Sequence, residues 1–198
     1  MLISQIETIE NMKQNKGRII IISSPSGGGK STIAKMLIKQ CKNIVPSISM
    51  TTREKGRGEI NGVDYYFISN EDFQDHIKND QLLEYAPIYR HYYGTPKDFV
   101  YHELNQGKDV IFDIDWQGHQ SIRKLVKNYQ IISFFIMPPS IDILKERLIN
   151  RDREDLSNIE HRLAEASADM SHKDEFDFII INQVLEDAVG DILTTLGK

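Results

Sequence analysis

The chain has 198 residues, which suits one domain with an ordinary core, and its 24 basic and 29 acidic side chains give a formal net charge of −5. This balance argues against a general nucleic-acid or membrane-surface binder. A single cysteine, Cys41, excludes an internal disulfide framework. No apolar run reaches the ~18 residues of a membrane-spanning helix. Residues 1–16 carry acidic side chains and no apolar signal-peptide core, so we expect an N-terminal extension and a cytoplasmic protein.

A glycine-rich loop is the first informative feature. It joins a β-branched apolar run at 18–23 to a helical pattern at 32–38. Glycines let backbone amides turn inward around a phosphate, and a helix start adds unpaired N–H groups. Lys30 is expected to reach the β- and γ-phosphates of a nucleotide and Ser31 to ligate Mg²⁺. The alternative is a glycine-rich turn with an incidental lysine.

The residues predicted to contact the triphosphate in this loop are Ser24, Pro25, Ser26, Gly27, Gly28, Gly29, Lys30, Ser31 and Thr32. Ser24 stands where the usual loop pattern has its first glycine.

Strands and helices alternate through the rest of the chain, which predicts a parallel, right-handed α/β sheet. The predicted elements are a helix ending near 43, strands at 47–50 and 64–68, a helix at 69–79 with Ser69 as N-cap, a strand at 91–94, a helix from Pro96 to 106 with Thr95 as N-cap, strands at 109–115, 131–137 and 176–181, and helices from 141 and at 157–170.

A dense run of cations occupies residues 51–59. The planar fork of arginine makes two parallel hydrogen bonds to a phosphate, so Arg53 and Arg57 are candidates for a second phosphate site. A solvated charged turn is the alternative.

The apolar strand at 109–115 ends in two acidic residues. Asp113 and Asp115 share one face at the carboxyl end of the strand, where open α/β sheets bind ligands. We expect at least one of them to bind a metal ion, for which Asp113 is the candidate, or a substrate, for which Asp115 is the candidate. Alternatively, one of them caps the helix that follows.

Arginines also mark the helices beyond residue 140. Helical spacing leaves Arg147 and Arg151 exposed, and Arg162 lies on the second helix. The alternative for Arg147 and Arg162 is an ordinary surface pairing with nearby glutamates. Asn182, after the last strand, either approaches a bound base or belongs to an ordinary turn.

These motifs in series resemble guanylate kinases along nearly the whole chain, from residue 18 to 182. The resemblance is carried by the glycine-rich loop, Thr-Thr-Arg at 51–53, Gly-Glu-x-x-Gly-x-x-Tyr at 58–65, Glu84, Tyr-Tyr-Gly-Thr at 92–95, Asp-Ile-Asp-x-Gln-Gly at 113–118 and Pro-Pro-Ser at 138–140.

The resemblance implies a P-loop three-layer α/β/α core with a central parallel sheet, an inserted small mixed β subdomain that binds GMP, and a helical lid. The core would comprise 17–46, 96–140 and 172–198, the GMP-binding subdomain about 47–95, and the lid about 141–171. The implied reaction is transfer of the ATP γ-phosphoryl group to GMP, and to dGMP, with Mg²⁺, by a monomer or homodimer without nucleic-acid or membrane partners.

The resemblance also assigns residues. Glu84 would accept hydrogen bonds from guanine N1–H and the 2-amino group, and an adenine base would be rejected because it offers a lone pair there. The residues implied for GMP are Ser49, Arg53, Arg57, Tyr65, Glu84, Tyr93, Thr95 and Asp115. The implied catalytic residues are Lys30, Arg53, Arg147 and Arg162, with Arg151 on ATP. The family's second phosphate-binding arginine corresponds to Gly56, so Arg57 would have to replace it.

Two other functions remain open: a catalytically inactive guanylate-kinase-like module that binds proteins, and a kinase for a different phosphorylated acceptor. The intact loop argues against the first, and the trio Ser49, Glu84 and Thr95 argues against the second.

Overall fold

A computed structural model describes residues 16–88, 90–151 and 159–198. Its strands are β1 (Ile19–Ser23), β2 (Ile44–Pro46), β3 (Met50–Thr51), β4 (Tyr66–Phe67), β5 (Leu82–Ile88), β6 (His91–Pro96), β7 (Asp109–Asp113), β8 (Ile131–Met137) and β9 (Phe178–Ile181). Its α-helices are α1 (Lys30–Gln40), α2 (Asn70–Lys78), α3 (Lys97–Asn105), α4 (Trp116–Leu125), α5 (Ile141–Arg151), α6 (Ile159–Met170) and α7 (Leu185–Leu196), with a 3₁₀ turn at Lys173–Glu175. None of the helices in these ranges has the length and apolar character needed to cross a bilayer.

The five-stranded central sheet has the order β2-β7-β1-β8-β9, and all of its strands are parallel. The parallel α/β sheet predicted from the sequence is therefore confirmed. Strand β1 lies at its centre and all of its residues are buried. Because Ile22 pairs with Asp113, the carboxyl ends of β1 and β7 lie side by side, and the loop after β1 starts at the edge where Asp113 sits.

Side chains of β1 alternate between two apolar clusters. Ile20 and Ile22 pack with residues of α1 and α7, whereas Ile19 and Ile21 pack with residues of α3 and α4 on the other face. Helices thus cover both faces of the sheet, as parallel strands buried on both sides require. The result is a three-layer α/β/α core.

A second sheet, of order β4-β3-β6-β5, mixes parallel and antiparallel pairing. The sequence prediction missed β5, because its Glu84 and Pro87 interrupt the apolar pattern expected of a strand. The predicted strands at 47–50 and 64–68 shrink to two residues each. The helix predicted at 69–79 is confirmed, and the Ser69 side chain accepts a hydrogen bond from the Asp72 N–H.

Three predicted boundaries are wrong. Thr95 does not cap α3, whose N-cap is Pro96, because Thr95 belongs to β6 and its hydroxyl is committed to Glu84. Strand β7 ends at Asp113, since Asp115 instead caps α4 by accepting from the Gly118 N–H. The first helix ends at Gln40, which leaves room for the unpredicted β2.

Candidate active site

The glycine-rich loop lies between β1 and α1, as its sequence predicts. Gly27 and Gly29 have φ of 83° and 100°, a backbone conformation that favours glycine. The Gly28 N–H donates to the Pro25 carbonyl at 2.9 Å, which closes the turn. Ser24 is buried, and its hydroxyl donates to the same carbonyl at 2.9 Å. The residue that departs from the usual pattern therefore reinforces the turn from within.

A cleft of about 570 Å³ opens in front of this loop. Its lining residues are Ser24, Pro25, Ser26, Gly27, Gly29, Lys30, Ser31, Thr32, Asp115 and Arg147. A cleft of this volume is within the usual range for a nucleotide-sized ligand.

Lys30 and Asp113 form an ion pair at the edge of this cleft. Both side chains are partly exposed, so a charged ligand can reach them. Asp115 points its carboxylate at the first turn of α4, where it accepts from the Gly118 N–H at 2.8 Å. The two carboxylates therefore differ in role, because Asp113 neutralises a cation and Asp115 caps a helix.

Two arginines of the helices after β8 reach the loop. Arg162 on α6 donates to the Ser26 hydroxyl at 3.1 Å. Arg147 on α5 is half-buried rather than exposed as predicted, and it donates from Nη2 to the Asn182 carbonyl at 2.9 Å. Its Nη1 is buried and has no hydrogen-bond partner among the described residues. The side chain of Arg151 lies outside the described part of the chain.

A chain of hydroxyls ends on a buried carboxylate in the second sheet. Thr95 on β6 faces Glu84 on β5, and its hydroxyl donates to Glu84 Oε1 at 2.7 Å. Ser49 Oγ lies 3.3 Å from Thr95 Oγ1, and because the Thr95 proton is already used, Ser49 is the donor of that pair. A register shift between Leu82 and Glu84 marks a bulge, a device that re-aims side chains.

Glu84 is 8% exposed. Burial raises the pKa of its carboxyl to about 7, with the Asp115 charge adding to the rise and the Thr95 hydrogen bond opposing it. A carboxylate buried without a cation is costly, so this group is well suited to accept hydrogen bonds from a bound ligand.

Arg53 follows β3 and is held by Glu59. Its Nη1 and Nη2 donate to the two carboxylate oxygens at 2.9 and 2.7 Å. The Gly56 N–H donates to the same carboxylate at 2.6 Å, and a Cβ at Gly56 would approach it to 2.8 Å. The hydrogen bond from Arg53 lowers the pKa of the Glu59 carboxyl. Arg57, by contrast, is exposed.

Two tyrosine rings, those of Tyr65 and Tyr93, pack beside this arginine. The Arg53 guanidinium lies 5.5 Å from the ring centroid of Tyr65, whose ring meets that of Tyr93 edge-on at 5.8 Å. Burial raises the pKa of the Tyr65 phenol, and the next cause is the negative charge of Asp113. Tyr65 therefore lies within electrostatic reach of Asp113, the residue that pairs with Lys30.

The family model described as "Guanylate kinase" matches residues 16–198. The chain belongs to the guanylate kinase family. A guanylate kinase of Rickettsia prowazekii (strain Madrid E) is 50% identical over 169 residues, or 85% of each chain. One of Wolbachia pipientis wMel is 43% identical over 185 residues, or 93% of this chain and 92% of the relative.

A solved structure agrees with the family assignment. The crystal structure of guanylate kinase from Anaplasma phagocytophilum matches with a TM-score of 0.76 and 32% identity, covering 92% of this chain and 86% of that one. The fold predicted from the sequence is thus that of a guanylate kinase.

Sequence reasoning missed two partners in this guanylate kinase site. Glu59 lies inside the Gly-Glu motif at 58–65, so its position next to a cation run was a usable signal. The hydrogen bond from the Asn182 side chain to the Gly28 carbonyl joins residues 154 apart in sequence, and no local pattern indicates it.

Proposed function

We propose that this protein transfers the γ-phosphoryl group of ATP to GMP and gives ADP and GDP. The observation that carries the proposal is the presence, in one chain of the guanylate kinase family, of a phosphate loop with Lys30 and a buried hydroxyl–carboxylate chain ending at Glu84. The relatives of Rickettsia and Wolbachia are guanylate kinases, which is consistent with this reaction.

ATP would bind with its phosphates in the loop cleft. The loop amides, the α1 N-terminus and Lys30 supply positive potential there. Arg147 and Arg162 would add charge from the lid, and Arg147 Nη1, which has no partner among the described residues, is a donor available for a phosphate oxygen. Arg151 is proposed for the same nucleotide on the family pattern alone.

GMP would bind between the second sheet and the core. The Glu84 carboxylate accepts two guanine N–H groups, while Ser49 and Thr95 face the O6 side. Arg53, Tyr65 and Tyr93 would hold the phosphate, and Glu59 keeps the Arg53 fork oriented until the phosphate arrives. We expect Arg57 to contribute less than Arg53 to binding of the GMP phosphate, because Arg57 is exposed. Asp115 would lie near the bound GMP.

The residues at the loop fit a magnesium ion that arrives with ATP. Ser31 and Asp113 offer the hard oxygen ligands that Mg²⁺ prefers, and Asp113 already lies against a cation. No cluster of three or more metal-ligating side chains occurs in the described part of the chain, so phosphate oxygens and water would complete the coordination. When bound, the ion neutralises charge on the β- and γ-phosphates.

The protein's own contribution is positioning and charge neutralisation. A GMP phosphate oxygen is already ionised, so the in-line attack on the γ-phosphorus needs no general base. Lys30 and the arginines stabilise the charge on the transferring group. Movement of α5 and α6 over the loop, with the second sheet closing on GMP, would exclude water and prevent hydrolysis of ATP.

A coupled assay of ADP release tests the proposal with GMP, dGMP, AMP, UMP and CMP as acceptors. We expect turnover with GMP and dGMP and little with the others. In Glu84→Ala the KM for GMP should rise at least tenfold, by about 1.5–3 kcal/mol for the lost charged hydrogen bonds, and discrimination against AMP should relax. Wild-type protein that turns over AMP as fast as GMP would disprove the proposal.

A further inference from the structure

Asn182 is fixed by its own backbone where β9 ends. It is 4% exposed, and its N–H donates to the Met137 carbonyl at 2.8 Å, which continues the β8–β9 ladder by one residue. The position of its side chain is therefore set by the central sheet rather than by a loose turn.

The Asn182 side chain reaches into the phosphate loop. Its Nδ2 donates to the Gly28 carbonyl at 2.8 Å in a buried hydrogen bond. In a trans peptide the C=O of one residue and the N–H of the next point in opposite directions. Holding the Gly28 carbonyl toward β9 thus turns the Gly29 N–H the other way, and Gly29, unlike Gly28, lines the cleft.

The fit between Asn182 and the loop is close. A Cβ built on Gly29 would overlap Asn182 Nδ2. Glycine is thus required at this position by its φ of 100° and by the approach of the amide.

The same residue also holds a lid arginine. Its main-chain carbonyl accepts from Arg147 Nη2 at 2.9 Å, which leaves the buried Nη1 unpartnered in the described structure. One residue at the end of β9 therefore contacts both the loop that faces the phosphates and the guanidinium that lines the same cleft.

We infer that Asn182 is a positioning residue for the donor phosphates, holding the Gly28–Gly29 peptide so that its N–H faces the cleft. The inference deepens the proposed function and rests on it, since it takes the loop as the donor site. It assigns the Asn182 amide to the loop rather than to the donor base.

The test compares Asn182→Ala and Asn182→Asp with a control, Gln183→Ala. Gln183 is the next residue in the chain, and its side chain is exposed. Initial rates are measured with ATP and with ITP, which differs from ATP only in the base, at saturating GMP. We expect Asn182→Ala to lower kcat/KM about tenfold for the loss of one buried hydrogen bond, by the same factor for both donors. The KM for GMP should stay within twofold.

Asn182→Asp should lower kcat/KM for both donors by at least as much as Asn182→Ala, because a carboxylate oxygen would face the Gly28 carbonyl oxygen. This variant matches asparagine in size, so it serves if the alanine variant does not fold. Calorimetric titration with GMP reports whether each variant retains the acceptor site. A loss with ATP but not with ITP would assign the amide to the base, and unchanged kcat/KM in both variants would also overturn the inference.

If the proposed function itself fails, wild-type protein forms no GDP, and this outcome differs from those that would overturn the role of Asn182. Calorimetric affinity for ATP in wild type and Asn182→Asp would still test the positioning role, with weaker binding expected in the variant.

Discussion

At the scale of single residues, Glu84 shows how burial prepares a side chain for recognition. The carboxylate has little exposure, and one Thr95 hydrogen bond offsets only part of its desolvation. Binding of guanine would supply the missing donors. The charge state of Glu84 should therefore control the affinity for GMP near neutral pH.

This predicts a pH dependence of GMP binding. With a pKa of about 7, the Glu84 carboxyl is mostly protonated below neutral pH and must lose its proton before guanine binds. The KM for GMP should therefore rise about tenfold from pH 8 to 6. The glutamine of Glu84→Gln does not titrate. The KM of this variant for GMP should therefore change with pH only through ionisation of the GMP phosphate. Equal pH profiles for wild type and Glu84→Gln would contradict the assignment.

Arg53 and Arg57 are distinguished by their surroundings. Arg53 is held by Glu59 with both nitrogens of its fork, whereas Arg57 is exposed. We expect Arg53→Lys to raise the KM for GMP about tenfold, because an ammonium cannot make two parallel bonds to a phosphate. Arg57→Ala should change it less than threefold, an estimate based on the small contribution of exposed charges. A larger effect at Arg57 would make it the replacement for the family's second arginine.

At the scale of elements, the sequence predicts best where one strand or turn carries its own signal. Strands β1 and β7 are buried on both faces and read as apolar runs, and Gly27 and Gly29 mark the loop directly. Strand β5 was missed because Glu84 and Pro87 interrupt its apolar pattern. The pairing of Glu84 with Thr95 follows from sheet register, which no local pattern encodes.

The two helices α5 and α6 have a small apolar cluster of their own. Leu144, Leu148 and Ala166 are fully buried there, apart from the two clusters of the central sheet. Leu148 also lies under Gly27, where a Cβ would approach it to 3.1 Å.

Leu148→Ala should therefore loosen the packing of α5 and α6, which form the proposed lid, without unfolding the core. A buried Leu→Ala change costs about 2–5 kcal/mol, and we expect faster hydrogen exchange in α5 and α6 with a several-fold rise in the KM for ATP. Leu125→Ala, an exposed leucine on α4, is the matched control. Exchange that accelerates equally in β1 and β8 would show that the lid is not a separate unit.

At the scale of the whole molecule, a network of side chains on α4 connects the central sheet to the segment between α6 and β9. His119 stacks on Phe176 with ring centroids 3.9 Å apart, and its Nε2 accepts from Arg123 at 3.1 Å. Arg123 in turn pairs with Asp177, which holds Ser133 of β8. Burial lowers the pKa of His119 to about 4, and the charge of Arg123 adds to the effect.

This network predicts how stability depends on acid. Between pH 6.5 and 4 an unfolded His119 binds a proton and the folded one does not, so the free energy of unfolding should fall as the pH falls, by about 2 kcal/mol from pH 7 to 5. Urea unfolding at pH 7 and 5 measures it. His119→Gln should flatten this fall and His161→Gln, at an exposed site, should not; an unchanged slope in His119→Gln would exclude His119 as the cause.

In the proposed function, the loop at 24–31 holds the donor for transfer to GMP. Chromatographic measurement of GDP formed from ATP and GMP tests it most directly in Lys30→Ala, with Lys35→Ala, an exposed lysine of α1, as control. We predict that Lys30→Ala forms GDP at least a thousandfold more slowly, a loss of about 4 kcal/mol of transition-state stabilisation, while Lys35→Ala equals wild type. Near-normal GDP formation by Lys30→Ala would show that this loop does not hold the phosphoryl donor.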